Sequence, residues 1–286
     1  MKRLSDIGTI KEILTKHGFT FSKALGQNFL VNPSVCPRMA ELSGAGEGVG
    51  VLEIGPGIGV LTNELCQLAD KVVAVELDKR LLPVLDETLA EYDNVKIVNA
   101  DVLELDLNAL IAGEFPGLEV VVCANLPYYI TSPVIMKLLE DKLPVSAVTV
   151  MVQKEAAQRI CAEVGTRDCG AVTVAVNYYA KPQLLFGVSA GSFMPAPKVD
   201  SAVIRLDIYE NPPVQCDDKT FFRVVKAAFS QRRKVISNSL SAGLGMEKTA
   251  VAALLEKAGV PANARAEKLS LDDFAAIANC LSEVSA

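Results

Sequence analysis

The sequence has a single histidine, no CxxC cysteine pair, no long apolar run and no excess of positive charge, and each absence excludes a class of protein. Because His17 stands alone near the N-terminus, Ser-His-Asp hydrolases, HExxH proteases and most histidine proton relays are excluded. The seven cysteines are an odd number without metal-ligand spacing, which fits neither a disulfide framework nor a zinc site. We therefore expect reduced cysteines and no bound metal.

Apolar segments of the chain are too short to cross a membrane. The longest, 120–124 and 145–152, have the length of strands, well below the roughly 18 residues of a membrane span. Residues 1–14 mix charges through their first turns and lack the apolar core and cleavage site of a secretory signal. These features predict a cytoplasmic protein without membrane association.

The net charge of −6 argues against general binding to nucleic acid, because lysine and arginine carry the attraction to phosphate. Any such contact must then come from a local basic patch. The length of 286 residues, of which 50% are hydrophobic, allows one large domain or two unequal ones.

Strand-length apolar runs alternate with helix-period segments through the first two hundred residues, which predicts an α/β, Rossmann-like fold with a mainly parallel sheet. We predict parallel strands at 49–54, 72–76, 95–99, 120–124 and 147–153, and antiparallel edge strands at 183–188 and 201–209, seven in all. Helices are predicted between them at 60–69, 79–91, 131–139 and 154–162.

The composition changes after Tyr209. NPPV at 211–214 can neither continue a strand nor begin a helix at once, so it reads as a linker. We predict a domain over 1–209 that carries the sheet and a small all-helical domain over 210–286. Its helices are predicted at 219–240, 247–258 and 271–281.

A glycine-rich turn follows the first predicted strand. Gly55, Gly57 and Gly59 let the backbone turn sharply and approach a ligand closely, with helix N–H groups directed at it. Glu76 ends the next strand, where a carboxylate can accept both hydroxyls of a ribose, and Asp101 follows the third, where it can accept from an adenine amine. Three strand ends thus predict a site for an adenosine.

Two cofactors contain that adenosine, a nicotinamide dinucleotide and S-adenosylmethionine. The glycine spacing is GxGxG instead of the GxGxxG of dinucleotide sites, and the single histidine is remote from it. S-adenosylmethionine is therefore favoured. The structural alternative is that Glu76 and Asp101 are solvated carboxylates at strand ends.

The fourth predicted strand is followed at once by Asn125, Leu126, Pro127 and Tyr128. Ligands of doubly wound sheets bind outside the carboxyl ends of strands, so this tetrapeptide should face the methyl donor. If the Asn125 side-chain oxygen and the Leu126 carbonyl each accept one N–H, the exocyclic amine of a base is held for methyl transfer without a general base. Tyr128 would stack on that base. The plain alternative is a turn that leaves a strand.

A basic window extends from Lys219 to Lys234. On one continuous helix, all of its cations but Arg232 would share about one third of the circumference and could meet phosphate, although a solvated charged face is the usual explanation. The predicted RNA-binding residues are Lys219, Arg223, Lys226, Arg233 and Lys234. A second basic surface is predicted from Lys2, Arg3, Lys11, Lys16 and Lys23.

Eight sequence motifs, spread over nearly the whole chain, point to the same family. They are LGQNFLVNP at 25–33, EIGPGIGVLT at 53–62, VELD at 75–78, NADVL at 99–103, NLPYYIT at 125–131, FMPAPKVDSAV at 193–203, AAFSQRRKVISNSL at 227–240 and RAEKLSLDDF at 265–274. Together they resemble the ribosomal RNA adenine N6-dimethyltransferase family, and most closely its bacterial branch that acts on small-subunit (16S) RNA.

The resemblance implies a fold, a reaction and a set of site residues. The fold is the seven-stranded methyltransferase sheet, and the implied cofactor contacts are Asn28, Leu30, Gly55, Gly57, Glu76, Asp101 and Asn125. Asn125 through Tyr128 would hold the target adenine, with Phe193 on its other face. The implied product is two adjacent dimethyladenosines in a hairpin loop near the 3′ end of the RNA, within an immature small subunit. We expect a monomer.

Two other functions share these motifs. A relative that methylates an adenine of large-subunit RNA has the same glycine turn and NLPY segment, although RAEKLSLDDF favours the small-subunit branch. A non-catalytic ribosome-assembly factor could use the basic segment for binding and the donor site only as a checkpoint.

Overall fold

The structure, a computed structural model, describes residues 4–20, 22, 27–231 and 233–285. The chain forms two compact units, one from the residues up to Ala157 with Pro182–Ile208, the other from Gln158–Lys181 with the chain from Tyr209 onward. The predicted fold class is confirmed, because a seven-stranded sheet with flanking helices is joined to a helical C-terminal region. In the described ranges no helix combines the length and apolar character that a membrane span requires.

The strands agree closely with the predicted positions. Their bounds are β1 Phe29–Leu30, β2 Val49–Ile54, β3 Lys71–Glu76, β4 Val95–Asn99, β5 Glu119–Asn125, β6 Ala147–Gln153, β7 Ala180–Val188, β8 Phe193–Met194 and β9 Ser201–Ile208. The large sheet has the order β4-β3-β2-β5-β6-β9-β7, while β1 and β8 pair separately.

The helices flank this sheet or form the second unit. Their bounds are α1 Ile7–Lys16, α2 Val35–Leu42, α3 Val60–Cys66, α4 Leu82–Thr88, α5 Leu107–Glu114, α6 Thr131–Glu140, α7 Lys154–Ile160, α8 Ala171–Tyr179, α9 Asp218–Ala228, α10 Ile236–Leu244, α11 Lys248–Lys257 and α12 Leu271–Ser285.

The middle of the sheet is buried on both faces. All six residues of β2 are buried, as expected for the near-continuous apolar run of a parallel strand between helices. Neighbouring strands β2, β3, β4, β5 and β6 run parallel, so their carboxyl ends meet at one edge. There Glu76 lies beside Asn99, and Asn125 lies beside Met151.

The strand β9 is antiparallel to β6, as predicted, but it is not an edge strand. It lies between β6 and β7, and β7 forms the edge. The physical reason is burial, because Ala202, Val203, Ile204 and Leu206 are at most 1% exposed and need neighbours on both sides.

The single helix predicted over 219–240 is wrong. The helix α9 ends at Ala228 and α10 begins at Ile236. After α9 ends, the N–H and the hydroxyl of Ser230 both donate to the Ala227 carbonyl, at 3.2 Å and 2.7 Å, which closes the last turn. The Ile236 N–H donates to the Ala264 carbonyl at 2.7 Å, and this bond fixes the start of α10.

The break in this segment lets α10 pack against α9. Ile236 and Leu240 become fully buried in the core of the helical unit. Gly243 approaches Ala227 so closely that an added Cβ would lie 2.6 Å from the alanine backbone. Burial of these residues outweighs the helical pattern, which is a local signal.

The segment 158–181 was predicted within the sheet domain, but it groups with the C-terminal helices. Within that unit Tyr178 stacks on Phe221 with a centroid distance of 4.5 Å, and its hydroxyl donates to Asp218 at 2.5 Å. Tyr178 is 1% exposed, so α8 contributes a large buried ring to the helical core. Sequence analysis missed α8 and therefore this grouping.

Candidate active site

An open cleft of about 830 Å³ lies in the first unit at the carboxyl ends of β2, β3, β4 and β5. Most of the predicted cofactor and substrate residues line it. They are Asn28, Gly55, Gly57, Glu76, Asp101, Asn125, Leu126, Pro127, Tyr128 and Phe193. A ligand in this cleft would therefore contact all four strand ends.

The glycine turn after β2 adopts a backbone that side chains disfavour. Gly55 has a φ of +70° and Gly57 a φ of +61°, both in the left-handed region. The Gly55 N–H donates to the Val75 carbonyl at 2.9 Å, which fastens the turn to β3. A Cβ on Gly57 would lie 3.2 Å from the Phe29 ring, so glycine is needed there for two reasons.

Glu76 is held at the end of β3 by backbone groups. One carboxylate oxygen accepts the Asp78 N–H at 2.7 Å, and the other accepts the Gly57 N–H at 3.3 Å. Burial raises the pKa of Glu76, and these two hydrogen bonds oppose that shift. Each carboxylate oxygen retains capacity for a further donor.

Asp101 follows β4 and borders the same cleft. Its Oδ1 accepts the Leu103 N–H at 2.9 Å, which orients the side chain. Its second oxygen makes no hydrogen bond within the described part of the chain. This oxygen can therefore accept the adenine amine that the sequence predicts as the partner of Asp101.

Leu30 differs from the other predicted cofactor residues, because it does not line the cleft. It is 2% exposed and pairs with Phe193 in the small antiparallel sheet of β1 and β8. Phe29 pairs there with Met194. Leu30 thus holds the N-terminal segment against the segment that carries Phe193, and Asn28 and Phe193 line the same cleft although they are far apart in the sequence.

The Asn125–Tyr128 segment leaves β5 directly into the cleft. The Leu126 N–H donates to the Met151 carbonyl at 3.2 Å, which ties the backbone to β6. The Tyr128 hydroxyl and Ser201 Oγ are 2.7 Å apart, and burial raises the pKa of Tyr128. The Asn125 amide makes no hydrogen bond within the residues that the structure describes, so it is available to a ligand.

Two contacts that fasten the rim of the cleft were not predicted from the sequence. Gln27 Nε2 donates to Asp78 Oδ2 at 2.8 Å, and Arg80 Nη2 forms an ion pair with the same oxygen at 2.6 Å. The hydrogen bond from Arg80 lowers the pKa of Asp78. Asp78 belongs to VELD and Ser201 to FMPAPKVDSAV. Both residues therefore lie in motifs that the sequence singles out, but only the folded structure shows which residues they contact.

Glu53 is a second carboxylate near the glycine turn, but it points into the core. It is 1% exposed, and its Oε2 has no hydrogen-bond partner among the described residues. Burial raises the pKa of Glu53 to about 8, and the nearby Glu76 adds to that shift. The side chain therefore holds a proton at neutral pH.

The basic residues of the second unit lie on two different backbones. Lys219, Arg223 and Lys226 are exposed on α9 at helical spacing and share one face. Arg233 and Lys234 are exposed in the turn before α10, so the predicted single stripe of five is wrong. Arg232 is outside the described residues.

The second predicted basic surface is mostly outside the described residues, since Lys2, Arg3 and Lys23 are not among them. Lys16 is paired with Glu87 at 2.8 Å, and Lys11 is exposed on α1. Because most of its residues are outside the described ones, this second surface stays a prediction.

Comparison with known proteins adds to this geometry. The profile of the family described as ribosomal RNA adenine dimethylase matches residues 18–283. The chain belongs to this family. The sequence-based identification of the family and of a methyltransferase is therefore confirmed.

Curated relatives within the family are similar over almost the full length. Ribosomal RNA small subunit methyltransferase A of Alkaliphilus oremlandii is 46% identical over 285 residues, covering 99% of each chain. The protein of the same name from Shouchella clausii is 47% identical over 273 residues, covering 94% of this chain and 92% of the relative.

Two solved structures of methyl-transferring enzymes have a similar fold. A dimethyladenosine transferase from Plasmodium falciparum has a TM-score of 0.73 at 25% identity, covering 87% of this chain and 95% of that one. The 23S rRNA methyltransferase ErmE has a TM-score of 0.66 at 28% identity, covering 89% of this chain and 99% of that one.

Proposed function

We propose that this chain transfers methyl groups from S-adenosyl-L-methionine to the N6 amines of two adjacent adenosines in the 3′-terminal hairpin loop of small-subunit rRNA. One observation supports this function above the others. The unengaged amide of Asn125 and the ring of Tyr128 share a cleft with the carboxylates of Glu76 and Asp101. The two carboxylates can thus bind an adenosyl group, while the amide and the ring can bind a target adenine in the same cleft.

The cofactor half of the cleft suits S-adenosylmethionine, which supplies an electrophilic methyl group on a sulfonium when it is bound. Glu76 is fixed by backbone N–H groups and can accept ribose hydroxyls. Leu77 also lines the cleft and is 46% exposed, which gives the flat base an apolar surface. Asp101 offers an acceptor for the amine of that base.

The substrate half of the cleft suits an exocyclic amine. Such an amine is a poor nucleophile, because its lone pair is delocalised into the ring. Asn125 Oδ1 and the Leu126 carbonyl would accept its two N–H groups and turn the lone pair toward the methyl donor. Both acceptors are neutral and stabilise the positive charge that develops on nitrogen. No residue has to remove a proton before the methyl is transferred, and the excess proton on nitrogen would be released to water afterwards.

Aromatic rings would fix the plane of the target adenine. Tyr128 is anchored through its hydroxyl to Ser201, and Phe193 is 4% exposed in the strand that pairs with β1. A base held between two such rings loses little freedom when the methyl is transferred. The same pocket must admit a monomethylated amine for dimethylation to be complete.

The RNA backbone would be bound by the basic residues of the second unit. The three exposed cations on α9 and the two in the following turn provide a local patch on an acidic protein. Such a patch can bind the phosphates of rRNA, and we propose an immature small subunit in the cytoplasm as the partner.

The small-subunit substrate is favoured over the large-subunit one. The relatives named small subunit methyltransferase A share 46–47% identity with the chain, whereas the 23S enzyme ErmE shares 28%. Primer extension on both RNAs after incubation with enzyme and methyl donor tests this choice. Modification of small-subunit RNA alone is expected, and modification of large-subunit RNA alone would contradict it.

A further inference from the structure

Tyr129 is the most exposed large apolar side chain in the part of the protein that the structure describes. It is 54% exposed and lines the cleft next to Tyr128. An exposed apolar side chain alone is ordinary on a protein surface. Tyr129 is distinct because it is an aromatic ring at the mouth of the cleft that is proposed to admit a base.

The local backbone separates the two tyrosine rings. Tyr128–Ile130 form a 3₁₀ turn, in which successive side chains point about 120° apart. Tyr128 is tied inward by its hydroxyl at 2.7 Å from Ser201 Oγ. Tyr129 makes no hydrogen bond and no ring contact within the described ranges. One base therefore cannot lie flat against both rings.

A base that enters the cleft leaves its neighbour in the RNA without a stacking partner. Enzymes that act on bases extrude the target nucleotide, and the cost includes this lost stacking. Single-stranded RNA is commonly held by aromatic side chains on which its bases stack. An unpartnered ring beside the cleft can restore the contact that the neighbouring base loses.

We propose that Tyr129 stacks on the base of the nucleotide adjacent to the target adenosine, so that the enzyme holds two consecutive bases. This inference rests on the proposed function and adds a specificity residue to it. Every base has a flat apolar face, so the Tyr129 ring can stack on the neighbouring adenosine both before and after that adenosine is methylated. That property suits a substrate in which two adjacent adenosines are modified in turn.

The test uses the full-length protein and a 3′-terminal small-subunit hairpin RNA, intact or with one abasic site on either side of the target adenosine. We expect the wild type to bind one of the two abasic RNAs about tenfold more weakly than intact RNA, which corresponds to about 1.4 kcal/mol. Tyr129→Ala should bind intact RNA about tenfold more weakly, with no further loss on that abasic RNA. Tyr129→Phe should match the wild type.

Tyr209→Ala is the matched control, because Tyr209 is 38% exposed and does not line the cleft. It should leave RNA affinity unchanged. The inference is overturned if the wild type binds both abasic RNAs as well as intact RNA. It is also overturned if Tyr129→Ala weakens binding equally on intact and abasic RNA. A wild type that binds intact RNA without methylating it would instead contradict the proposed function.

Discussion

The cleft and the basic segment present their functional groups in opposite ways. In the cleft, Glu76 and Tyr128 are partly or fully buried and held by neighbouring groups at 2.7–3.3 Å. In the basic segment, the cations of α9 and of the following turn are exposed and spread over two kinds of backbone. Single changes in the cleft should therefore be severe, whereas changes in the basic segment should be small, additive and sensitive to salt.

The largest effect is expected at Asn125. Asn125→Ala would remove the acceptor that we propose to position the attacking amine, and loss of one such group typically costs about a hundredfold or more in turnover. Methyl incorporation into small-subunit RNA measures it. Asn108→Ala is the control, since Asn108 on α5 does not line the cleft and its side chain donates to the Asp141 carbonyl at 3.0 Å. Full turnover by Asn125→Ala would remove that residue from the reaction.

Glu76→Gln should weaken cofactor binding while RNA binding is retained. Hydrogen bonds to a charged group contribute about 1.5–3 kcal/mol, so the Kd for S-adenosylmethionine should rise about ten- to a hundredfold. Calorimetric titration measures this value directly. Glu140→Gln, at the exposed end of α6, should leave the Kd unchanged. An unaltered Kd for Glu76→Gln would place the ribose elsewhere.

The two regions also differ in how far sequence predicts them. Gly55, Glu76, Asp101 and Asn125 follow strands whose apolar runs are long and unambiguous, and parallel strands bring their ends together. The meeting of these four residues in one cleft is therefore predictable from the positions of the strands along the sequence. The pairing of Leu30 with Phe193 is not, since it joins residues far apart in sequence.

The prediction of one continuous helix in the basic segment was wrong because helical periodicity is a local pattern and contains no information on tertiary contacts. Residues 219–240 contain no proline or glycine that would signal a break. The helix nevertheless ends at Ala228, since burial of Ile236 and Leu240 against α9 requires the chain to turn. Similarly, α8 was missed although it supplies the buried ring of Tyr178.

The basic segment can be divided by mutation along this break. Changing Lys219, Arg223 and Lys226 together to glutamine should make the negative slope of log affinity against log salt shallower by about two to three, because each lost phosphate contact reduces its magnitude by about 0.7–0.9. Changing Arg233 and Lys234 together to glutamine should make the slope shallower by at most about two. Lys248→Gln on α11 is the control. An unchanged slope in both variants would move the RNA surface elsewhere.

The smallest effect is expected at Glu53, and it concerns stability. Unfolded glutamate ionises near its ordinary pKa of 4.5, whereas folded Glu53 keeps its proton up to about pH 8. Between these values the unfolded state binds fewer protons, so the free energy of unfolding falls as pH rises and then levels off. The raised pKa of Glu76 contributes with the same sign.

Glu53→Gln should therefore remove part of this pH dependence. Relative to the wild type, its Tm should rise steadily from pH 5 to pH 8, by a few degrees in all. Thermal melts of both proteins at several pH values measure the difference in Tm. A destabilisation that the substitution causes equally at every pH does not affect how this difference varies with pH. A difference that does not vary with pH would show that Glu53 is ionised in the folded protein.

Nucleoside mass spectrometry of unmodified small-subunit RNA, incubated with the protein and S-adenosylmethionine, tests most directly whether the Asn125–Tyr128 segment directs methyl groups to an adenine amine. N6,N6-dimethyladenosine at two adjacent positions of the 3′-terminal hairpin is expected with the wild type, and about a hundredfold less of it or none with Asn125→Ala after the same short incubation. Methylation at a ring nitrogen or a ribose oxygen, or an unchanged product with Asn125→Ala, would contradict it.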